Sequence, residues 1–447
     1  MAEPSPWSTI CHPRNIPPRR SEAMFLANSA DYISRVRRYP CVTIYVGRNE
    51  GFPPQTIDNA LRQQIARLHP LLGFISNSAD QGVSGHGAYR LMPTEYYFKE
   101  QTRLLHSERG LPNVPSIQSL RRMLQSDALW PIGLGWAQHD FTMGGAQRAS
   151  SLVKLLESRF GQPKSAEQFS QWAQWLCYDG YRAMYEGCQQ YRMGLLNWMS
   201  HSCWPSMVWC TYDYYLEPTA AYFGTKKACE PLHVQFNPVS RQVQVVNMGT
   251  GRHHALNVKA QVLNIEGKIV SEQTAVVSVD EDTTANVLTL REPADALYFV
   301  RLSLVENNVE LSQNCYVQGR TDADWQLLRT LPMAQVAIDA RFEPSCCKDG
   351  DGTNACSNHR DGSDTDADCC GNDDEMIGCV TLRNTSSTPA LMIRLNLVGA
   401  DGEQILPVLY SDNYFHLMPG EQKVVRVSYR KEDGRGVKPH VEISSFK

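Results

Sequence analysis

Residues 41–50 read CVTIYVGRNE, a short apolar run of β-branched and aromatic residues that ends on Glu50. Such a run is typical of a buried strand. A second run, QTRLLHSERG, brings Glu108 to a comparable position. Between the two runs, QTIDNALRQQIARLH at 55–69 has apolar residues at helical spacing, and PLLGFISNS at 70–78 again predicts a strand. This alternation of strand and helix predicts parallel α/β structure.

Glu50 and Glu108 stand where the carboxyl ends of two parallel strands are expected. Active sites of (β/α) barrels lie at those ends. Two carboxylates in one cleft suit retaining glycoside hydrolysis, in which one acid protonates the leaving oxygen and a nucleophile about 5 Å away attacks the sugar. The alternative interpretation is that both are solvated loop residues, as most glutamates are.

Aromatic residues are concentrated in two stretches of the first half of the chain. Tyr89 and Tyr97 lie in AYRLMPTEYYF, and Trp198 and Trp204 lie in NWMSHSCWPSMVW. Because sugar faces stack on aromatic rings, such stretches are typical of a carbohydrate cleft. Core packing is the alternative, and residue type alone favours it for Trp198 and Trp209.

The bulk composition is that of an ordinary globular protein of several domains, with 447 residues, 42% hydrophobic and 20% charged. A net charge of -4 with no basic stretch argues against a nucleic-acid partner. No apolar run approaches the roughly 18 residues that a membrane span needs. The opening residues also lack the apolar segment of a secretory signal peptide, so the compartment is undecided.

The pattern of elements predicts four regions. Residues 1–24 read as an unstructured leader rich in Pro and Arg, and 25–228 as the α/β region. Short alternating runs separated by Gly, Asn and Asp turns predict one antiparallel β-sandwich at 229–320 and a second at 321–447. An acidic, Cys-rich insertion at 344–376 interrupts the second sandwich.

The acidic insertion places Asp at alternate positions, as calcium loops do. Counting Asp349 as the first position, however, the twelfth is Arg360, where a calcium loop carries a bidentate Glu. Six of the 14 cysteines lie around this stretch, so a disulfide-laced or metal-binding knot is one interpretation. The scarcity of apolar residues favours a disordered, solvated loop instead. We therefore predict no metal site and no cofactor.

Four stretches resemble glycoside hydrolase family 2, specifically its exo-β-D-glucosaminidase and β-mannosidase-like members. They are FLANSADYISRVRRYPCVTIYVGRNEGFPP at 25–54, HSERGLPNVPSIQSLRRML at 106–124, GLLNWMSHSCWPSMVWCTYDYYLEPTAAYFGTKKACEPLHVQFNP at 194–238 and YSDNYFHLMPGE at 410–421. The resemblance implies a multidomain α/β plus all-β chain. Its first part would be a truncated (β/α)8 TIM-type barrel containing strands four to eight, followed by two immunoglobulin-like β-sandwich domains.

The same resemblance implies roles for four of the candidate residues. Glu50, ending the fourth barrel strand, would be the general acid/base, and Glu108, ending the seventh, would be the nucleophile. Asn49 would hydrogen-bond the sugar near its 2-position, and Trp204 would form the floor of the subsite for the cleaved sugar. Aromatic residue type adds Tyr89, Tyr97 and Trp198 as candidate substrate-binding residues. His201 is a further candidate, with a structural hydrogen-bond donor as the alternative.

The implied function is retaining hydrolysis that releases β-linked glucosamine or mannose from oligosaccharides by double displacement. Asn49-Glu50 stands where the glucosaminidase members carry Ser-Asp, and Ser200-His201 where they carry Leu-Asn, so the sugar stays open. Family members are often secreted or periplasmic. Because only a short leader precedes strand four, we expect an N-terminal half to be missing and the chain alone to be inactive or poorly folded in its first part. The alternative is a non-catalytic carbohydrate-binding or assembly fragment of a degenerate hydrolase.

Overall fold

The chain divides into two compact units, each built from several segments. The computed structural model describes residues 7–9, 18–87, 89–100, 103–144, 148–191, 194–207, 209–344 and 374–447. The first unit comprises Met1–Ala88, Thr102–Arg109 and Met193–Trp198. The second comprises Tyr89–Gln101, Gly110–Arg192 and Met199–Lys447.

Parallel strands form the centre of the first unit. Its strands are β1 (Trp7–Thr9), β2 (Ile44–Arg48), β3 (Gly73–Asn77), β4 (Val83–Ser84), β5 (Leu105–Arg109) and β6 (Leu195–Asn197). They form two three-stranded sheets, in the orders β1-β2-β3 and β4-β5-β6, and every neighbouring pair is parallel. The parallel pairing predicted from the alternation of strands and helices is therefore confirmed.

Two helices cover the first sheet, α1 (Pro18–Val36) and α2 (Gln55–Leu68). The helical spacing predicted for 55–69 is observed, because Ile57, Leu61 and Ile65 all point inward and are buried. Ile65 shares one apolar cluster with Tyr45 of β2. Burial of these side chains fixes the position of β2, and with it the position of the residues that follow the strand.

The prediction that residues 1–24 form an unstructured leader is wrong at two places. Trp7–Thr9 pairs in parallel with β2, and α1 begins at Pro18, where a proline suits the first helical turn. Beyond the leader, Phe25 and Leu26 of α1 pack on buried residues of α2. This long-range packing stabilises the helix, and local Pro and Arg content does not reveal it. The other leader residues lie outside the described ranges.

Helices make up the first part of the second unit, and a 3₁₀ helix follows further along the chain. They are α3 (Thr94–Lys99), α4 (Ile117–Met123), α5 (Leu134–Gln138), α6 (Ala149–Phe160), α7 (Ala166–Gln189), α8 (Ala220–Ala228) and the 3₁₀ helix Asp322–Thr330. The longest, α7, is buried along nearly its whole length, and its buried residues include the charged side chains of Asp179, Arg182 and Glu186. Ser165 caps its first turn by accepting a hydrogen bond from the Gln168 amide.

Two antiparallel sheets follow α8 and enclose an apolar core. Their strands are β7 (Leu232–Asn237), β8 (Gln242–Asn247), β9 (His253–Asn264), β10 (Ile269–Val279), β11 (Thr283–Thr289), β12 (Leu297–Glu306) and β13 (Val309–Gly319). The sheet orders are β10-β9-β12-β13 and β11-β8-β7. Val245 from one sheet and Val300 from the other share the core cluster. The strands of this sandwich run from Leu232 to Gly319.

A second pair of antiparallel sheets ends the chain. The strands are β14 (Val336–Pro344), β15 (Glu375–Asn384), β16 (Ala390–Gly399), β17 (Leu409–Tyr410), β18 (Phe415–Leu417), β19 (Gln422–Arg430) and β20 (Pro439–Ser444). The sheet orders are β14-β15-β19-β17 and β18-β16-β20. Most of the acidic insertion falls at 345–373, outside the described residues. Within the described part, no group of three or more His, Cys, Asp or Glu side chains is placed to hold a metal ion, and no helix is long and apolar enough to cross a membrane.

The compact units differ from the predicted α/β region 25–228, because α7 belongs with the sandwiches. The Arg182 guanidinium donates hydrogen bonds to Asn314 Oδ1 at 3.2 Å and to the Cys315 carbonyl at 2.9 Å. Trp172 Nε1 donates to the Lys447 carbonyl at 3.0 Å. A buried helix that bonds to both sandwiches is held in their unit.

Candidate active site

The residue pair Asn49-Glu50 forms the turn that directly follows β2. The side chains of both residues are exposed to solvent. Glu50 adopts the left-handed backbone conformation, with a φ of 45°, which is uncommon for a residue other than Gly, Asn or Asp. Such strained conformations persist only where surrounding contacts hold them, and they are concentrated at functional sites.

Ser78, the residue that follows β3, holds this turn through three hydrogen bonds. Its hydroxyl oxygen accepts from the Glu50 amide at 2.9 Å, and the hydroxyl donates to Asn49 Oδ1 at 3.3 Å. Its own amide donates to the Arg48 carbonyl at 3.0 Å. Three consecutive residues of the β2 end are thus bound to one buried serine at the end of the neighbouring strand.

Ser107 of β5 connects this arrangement to the second sheet. Its hydroxyl donates a hydrogen bond to the Ser78 carbonyl oxygen. Nearby, the Gly85 amide donates to the Ala79 carbonyl at 3.2 Å. A Cβ on Gly85 would overlap with Ser107 Oγ and the Ser78 carbonyl oxygen, so a glycine is required for this close approach.

Glu108 directly follows Ser107 within β5, and its side chain is partly buried. The hydrogen bonds of Ser78 to the Glu50 turn and to Ser107, which we call the Ser78 bridge, therefore link that turn to the strand that carries Glu108. The Trp198 amide donates to the Arg109 carbonyl at 2.9 Å, which places Trp198 at the same end of β5. The Trp198 side chain is 44% exposed, so the core-packing interpretation of this residue is wrong. The carboxyl ends of the parallel strands bring together Asn49, Glu50, Glu108 and Trp198.

The second unit contains the other four predicted residues. Tyr97 is only 1% exposed because it points from α3 toward α7, where its backbone contacts Gly187. The prediction that Tyr97 contacts sugar is therefore wrong. Tyr89 packs against Trp209, with ring centroids 5.0 Å apart. Its role in sugar binding stays a prediction.

His201 and Trp204 lie on one exposed loop of the second unit. His201 is exposed and forms an isolated β-bridge with Tyr212. The Trp204 indole is 42% exposed and stacks on His139, with ring centroids 5.7 Å apart and planes inclined by 21°. The contact with His139 fixes the orientation of the Trp204 ring, which suits a residue that stacks on sugar. The sugar contacts of His201 and Trp204 stay predictions.

Sequence reasoning missed Ser78, Ser107 and Gly85, which organise the strand ends. Ser78 closes the apolar run PLLGFISNS, so the rule that singled out Glu50 applied to it as well. It also missed an exposed pair at the ends of β3 and β4, where Asp80 Oδ1 lies 2.8 Å from His86 Nε2. No residue pattern marks a lone serine as a bridge, because the bridge exists only once the strands are paired.

The chain is similar in sequence to known glycosidases. Residues 314–447 match the exo-β-D-glucosaminidase Ig-fold domain family. An exo-β-D-glucosaminidase of Streptomyces avermitilis is 27% identical over 94% of this chain and 49% of its own length. A mannosylglycoprotein endo-β-mannosidase of Lilium longiflorum is 24% identical over 98% of this chain and 56% of its own length.

A solved structure, the exo-chitosanase of Amycolatopsis orientalis, shares the fold. The TM-score is 0.80 at 23% identity, covering 96% of this chain and 53% of that one. This chain spans about half the length of the curated relatives it matches. Its homologues are exo-β-D-glucosaminidases and a β-mannosidase-like protein, which confirms the resemblance read from the sequence.

Proposed function

We propose that this homologue of the exo-β-D-glucosaminidases is a retaining glycoside hydrolase of family 2, with Glu50 as general acid/base and Glu108 as nucleophile. The observation that supports the proposal most strongly is the Ser78 bridge, which ties the Glu50 turn to the strand of Glu108. In this proposal β2 to β6 are strands four to eight of a (β/α)8 barrel, and the two sandwiches are immunoglobulin-like. The substrate is an oligosaccharide ending in β-linked glucosamine or mannose.

The first chemical step forms a glycosyl-enzyme ester. A carboxylate oxygen of Glu108 attacks the anomeric carbon as the bond between that carbon and the glycosidic oxygen breaks. The protonated carboxyl of Glu50 gives its proton to the departing oxygen, so the aglycone leaves as a neutral alcohol. Asn49, next to Glu50, forms a hydrogen bond with the sugar near its 2-position.

The second step returns the enzyme to its starting state. The Glu50 carboxylate takes a proton from water while the water oxygen bonds to the anomeric carbon. The ester bond to Glu108 breaks, and the electron pair returns to the Glu108 carboxylate. Two inversions at the anomeric carbon give a product that keeps the β configuration.

Trp198, exposed beside the end of β5, stacks on the apolar face of a sugar ring.

The proposal is tested by hydrolysis of p-nitrophenyl β-D-glucosaminide and p-nitrophenyl β-D-mannoside by the full chain. NMR of the first-formed product should show the β anomer. Glu50→Gln should lower kcat by about 10²–10⁴-fold, as loss of a general acid/base does. Glu108→Gln should lower it by more than about 10⁴-fold, as loss of a nucleophile does. Glu22→Gln on α1 of the same unit is the control and should leave kcat unchanged.

Azide separates the two roles. With Glu50→Ala, azide should attack the glycosyl-enzyme and give a β-glycosyl azide. With Glu108→Ala, azide should replace the missing nucleophile and give an α-glycosyl azide. A first-formed α anomer, or hydrolysis that Glu108→Gln leaves unchanged, would overturn the proposal. Binding of chitosan oligosaccharides that survives Glu108→Gln without any wild-type turnover would favour the carbohydrate-binding alternative.

A further inference from the structure

We infer that Ser78 is a positioning residue whose hydroxyl and carbonyl groups set the place of the Glu50 carboxyl relative to the strand that carries Glu108. This inference rests on the proposed function, in which Glu50 is the acid/base. It adds a residue and a mechanism: Ser78, at the end of β3, connects the Glu50 turn to β5.

The first support is the number and direction of the bonds that Ser78 makes. The residue is only 7% exposed, so water does not replace these bonds easily. Its hydroxyl accepts from the Glu50 amide at 2.9 Å and donates to Asn49 Oδ1 at 3.3 Å. The hydroxyl is therefore both acceptor and donor, and its partners are Glu50 and Asn49, the two adjacent residues that the proposed reaction needs.

The second support is the backbone conformation of Glu50. A φ of 45° is costly for a glutamate, of the order of 1–3 kcal/mol, and persists only where neighbouring contacts over-determine it. Of the described hydrogen bonds, the one from the Glu50 amide to Ser78 Oγ fixes this peptide. Without it, the turn should relax toward a commoner conformation and move the Glu50 carboxyl.

The third support is the bond on the other side of Ser78. The Ser107 hydroxyl donates to the Ser78 carbonyl oxygen, and Ser107 is the neighbour of Glu108 in β5. The same serine thus contacts the residue before the nucleophile and the residue that is the acid/base. A displacement of about 1 Å can lower a catalysed rate by about 100-fold, so a rigid connection at this point has kinetic consequences.

The test exploits the dependence of a general acid on its leaving group. A poor leaving group needs the proton from Glu50, whereas 2,4-dinitrophenolate departs without one. For Ser78→Ala we expect kcat/KM to fall about 10- to 100-fold for a p-methoxyphenyl glycoside and less than about threefold for the dinitrophenyl glycoside. Glu50→Gln should show the same selectivity in stronger form.

Ser76→Ala is the matched control. Ser76 lies two residues earlier, within β3, is buried, and its hydroxyl accepts a hydrogen bond from Arg62 at 2.6 Å. Its removal should cost comparable stability but change both substrates equally. Ser78→Thr restores a hydroxyl and should recover part of the lost rate on the p-methoxyphenyl glycoside.

Hydrogen–deuterium exchange gives a readout that does not need turnover. Exchange of the amides at 48–52 should accelerate in Ser78→Ala, and also in Ser107→Ala, although no described hydrogen bond joins Ser107 to that turn. Ser76→Ala should leave it unchanged. Unaltered exchange at 48–52 in Ser78→Ala would overturn the inference whatever the activity.

The outcomes separate this inference from the function it rests on. If the wild type is active and Glu50→Gln is selective, but Ser78→Ala slows both substrates alike, Ser78 is merely structural and the inference fails while the proposed function stands. If Glu50→Gln shows no dependence on the leaving group, the acid/base assignment fails, and with it the role given to Ser78.

Discussion

The Ser107 hydroxyl donates a hydrogen bond to the Ser78 carbonyl oxygen, and this bond links two parallel sheets that share no strand pairing among the described residues. One sheet ends in the turn that carries Glu50, and the other contains Glu108. An ordinary hydrogen bond contributes only about 1 kcal/mol, so this bond matters mainly for the two elements it connects. In our proposal it helps to set the relative position of two carboxylates whose roles depend on that position.

Gly85→Ala should disrupt the hydrogen bond between Ser107 and Ser78. A Cβ at Gly85 would lie 2.9 Å from Ala79 Cα and would also overlap with Ser107 Oγ. The backbone cannot move away cheaply, so we expect a loss of about 1–3 kcal/mol in the free energy of unfolding, seen as a lower transition temperature in calorimetry. Activity on p-methoxyphenyl glycosides should fall with it.

Gly51→Ala is the control for that prediction. The nearest atoms to a Cβ at Gly51 belong to the flexible Arg48 side chain, at 3.6 Å. The transition temperature should change by less than the equivalent of about 0.5 kcal/mol, as for most surface substitutions. Equal effects of the two substitutions would show that space around Gly85 is not limiting.

Trp198→Ala should weaken substrate binding without weakening the fold. Trp198 is 44% exposed at the end of β5, so its removal leaves no cavity in the core. Loss of one aromatic contact worth about 0.5–1.5 kcal/mol should raise KM about two- to tenfold, with little change in kcat. Initial-rate kinetics on p-nitrophenyl glycosides measure the two constants.

Trp209→Ala separates binding from folding. Trp209 is packed against Tyr89, and its indole N–H is buried. This substitution should lower the transition temperature by several degrees. A comparable drop in Trp198→Ala, or a fall in its kcat with KM unchanged, would contradict the assigned role of Trp198.

A buried pair of carboxyl groups in the second unit should make its stability depend on pH. Asp213 Oδ1 accepts hydrogen bonds from the Tyr215 amide at 2.9 Å and from the Glu217 amide at 3.0 Å, and Ser119 donates to Oδ2. Burial, and then the charge of Glu217, raise the pKa of Asp213 to about 7. Burial would raise the pKa of Glu217 too, but the Arg394 guanidinium holds it below its ordinary value.

Asp213→Asn should remove that pH dependence. Because the folded-state pKa is raised from 3.8, the stabilisation by the bound proton is complete below about pH 4 and is lost as pH rises through about 7. The wild type should therefore lose stability relative to Asp213→Asn across this window, by up to about 1.4 kcal/mol per pH unit. Transition temperatures of both proteins from pH 4 to 8 measure the difference, and parallel curves would contradict it.

Much of the fold was predictable because it depends on local pattern. The apolar runs before Glu50 and within PLLGFISNS became β2 and β3, and the helical spacing at 55–69 became α2. The leader was mispredicted because β1 exists only through pairing with β2. Tyr97 was misassigned because composition cannot tell which face of α3 packs on α7.

The candidate site was predictable only in part, for the same reason. The strand-end rule selects Glu50 and Glu108 from sequence, since each follows or ends an apolar run. The same rule applies to Ser78, which closes PLLGFISNS, but a serine there suggests no acid/base role. The importance of Ser78 comes from its hydrogen bonds to Arg48, Asn49, Glu50 and Ser107, all distant from it in sequence. Those contacts form only when β2, β3 and β5 are assembled.

The most direct test of the central claim is covalent trapping of the nucleophile. A 5-fluoro-β-D-glucosaminyl fluoride, or its manno counterpart, should form a long-lived ester, because fluorine slows the second step more than the first. Peptide mass mapping should place the sugar on Glu108, in a complex that forms in Glu50→Gln as well, since fluoride departs without an acid. A label on any other residue, or time-dependent inactivation that persists in Glu108→Gln, would contradict the account.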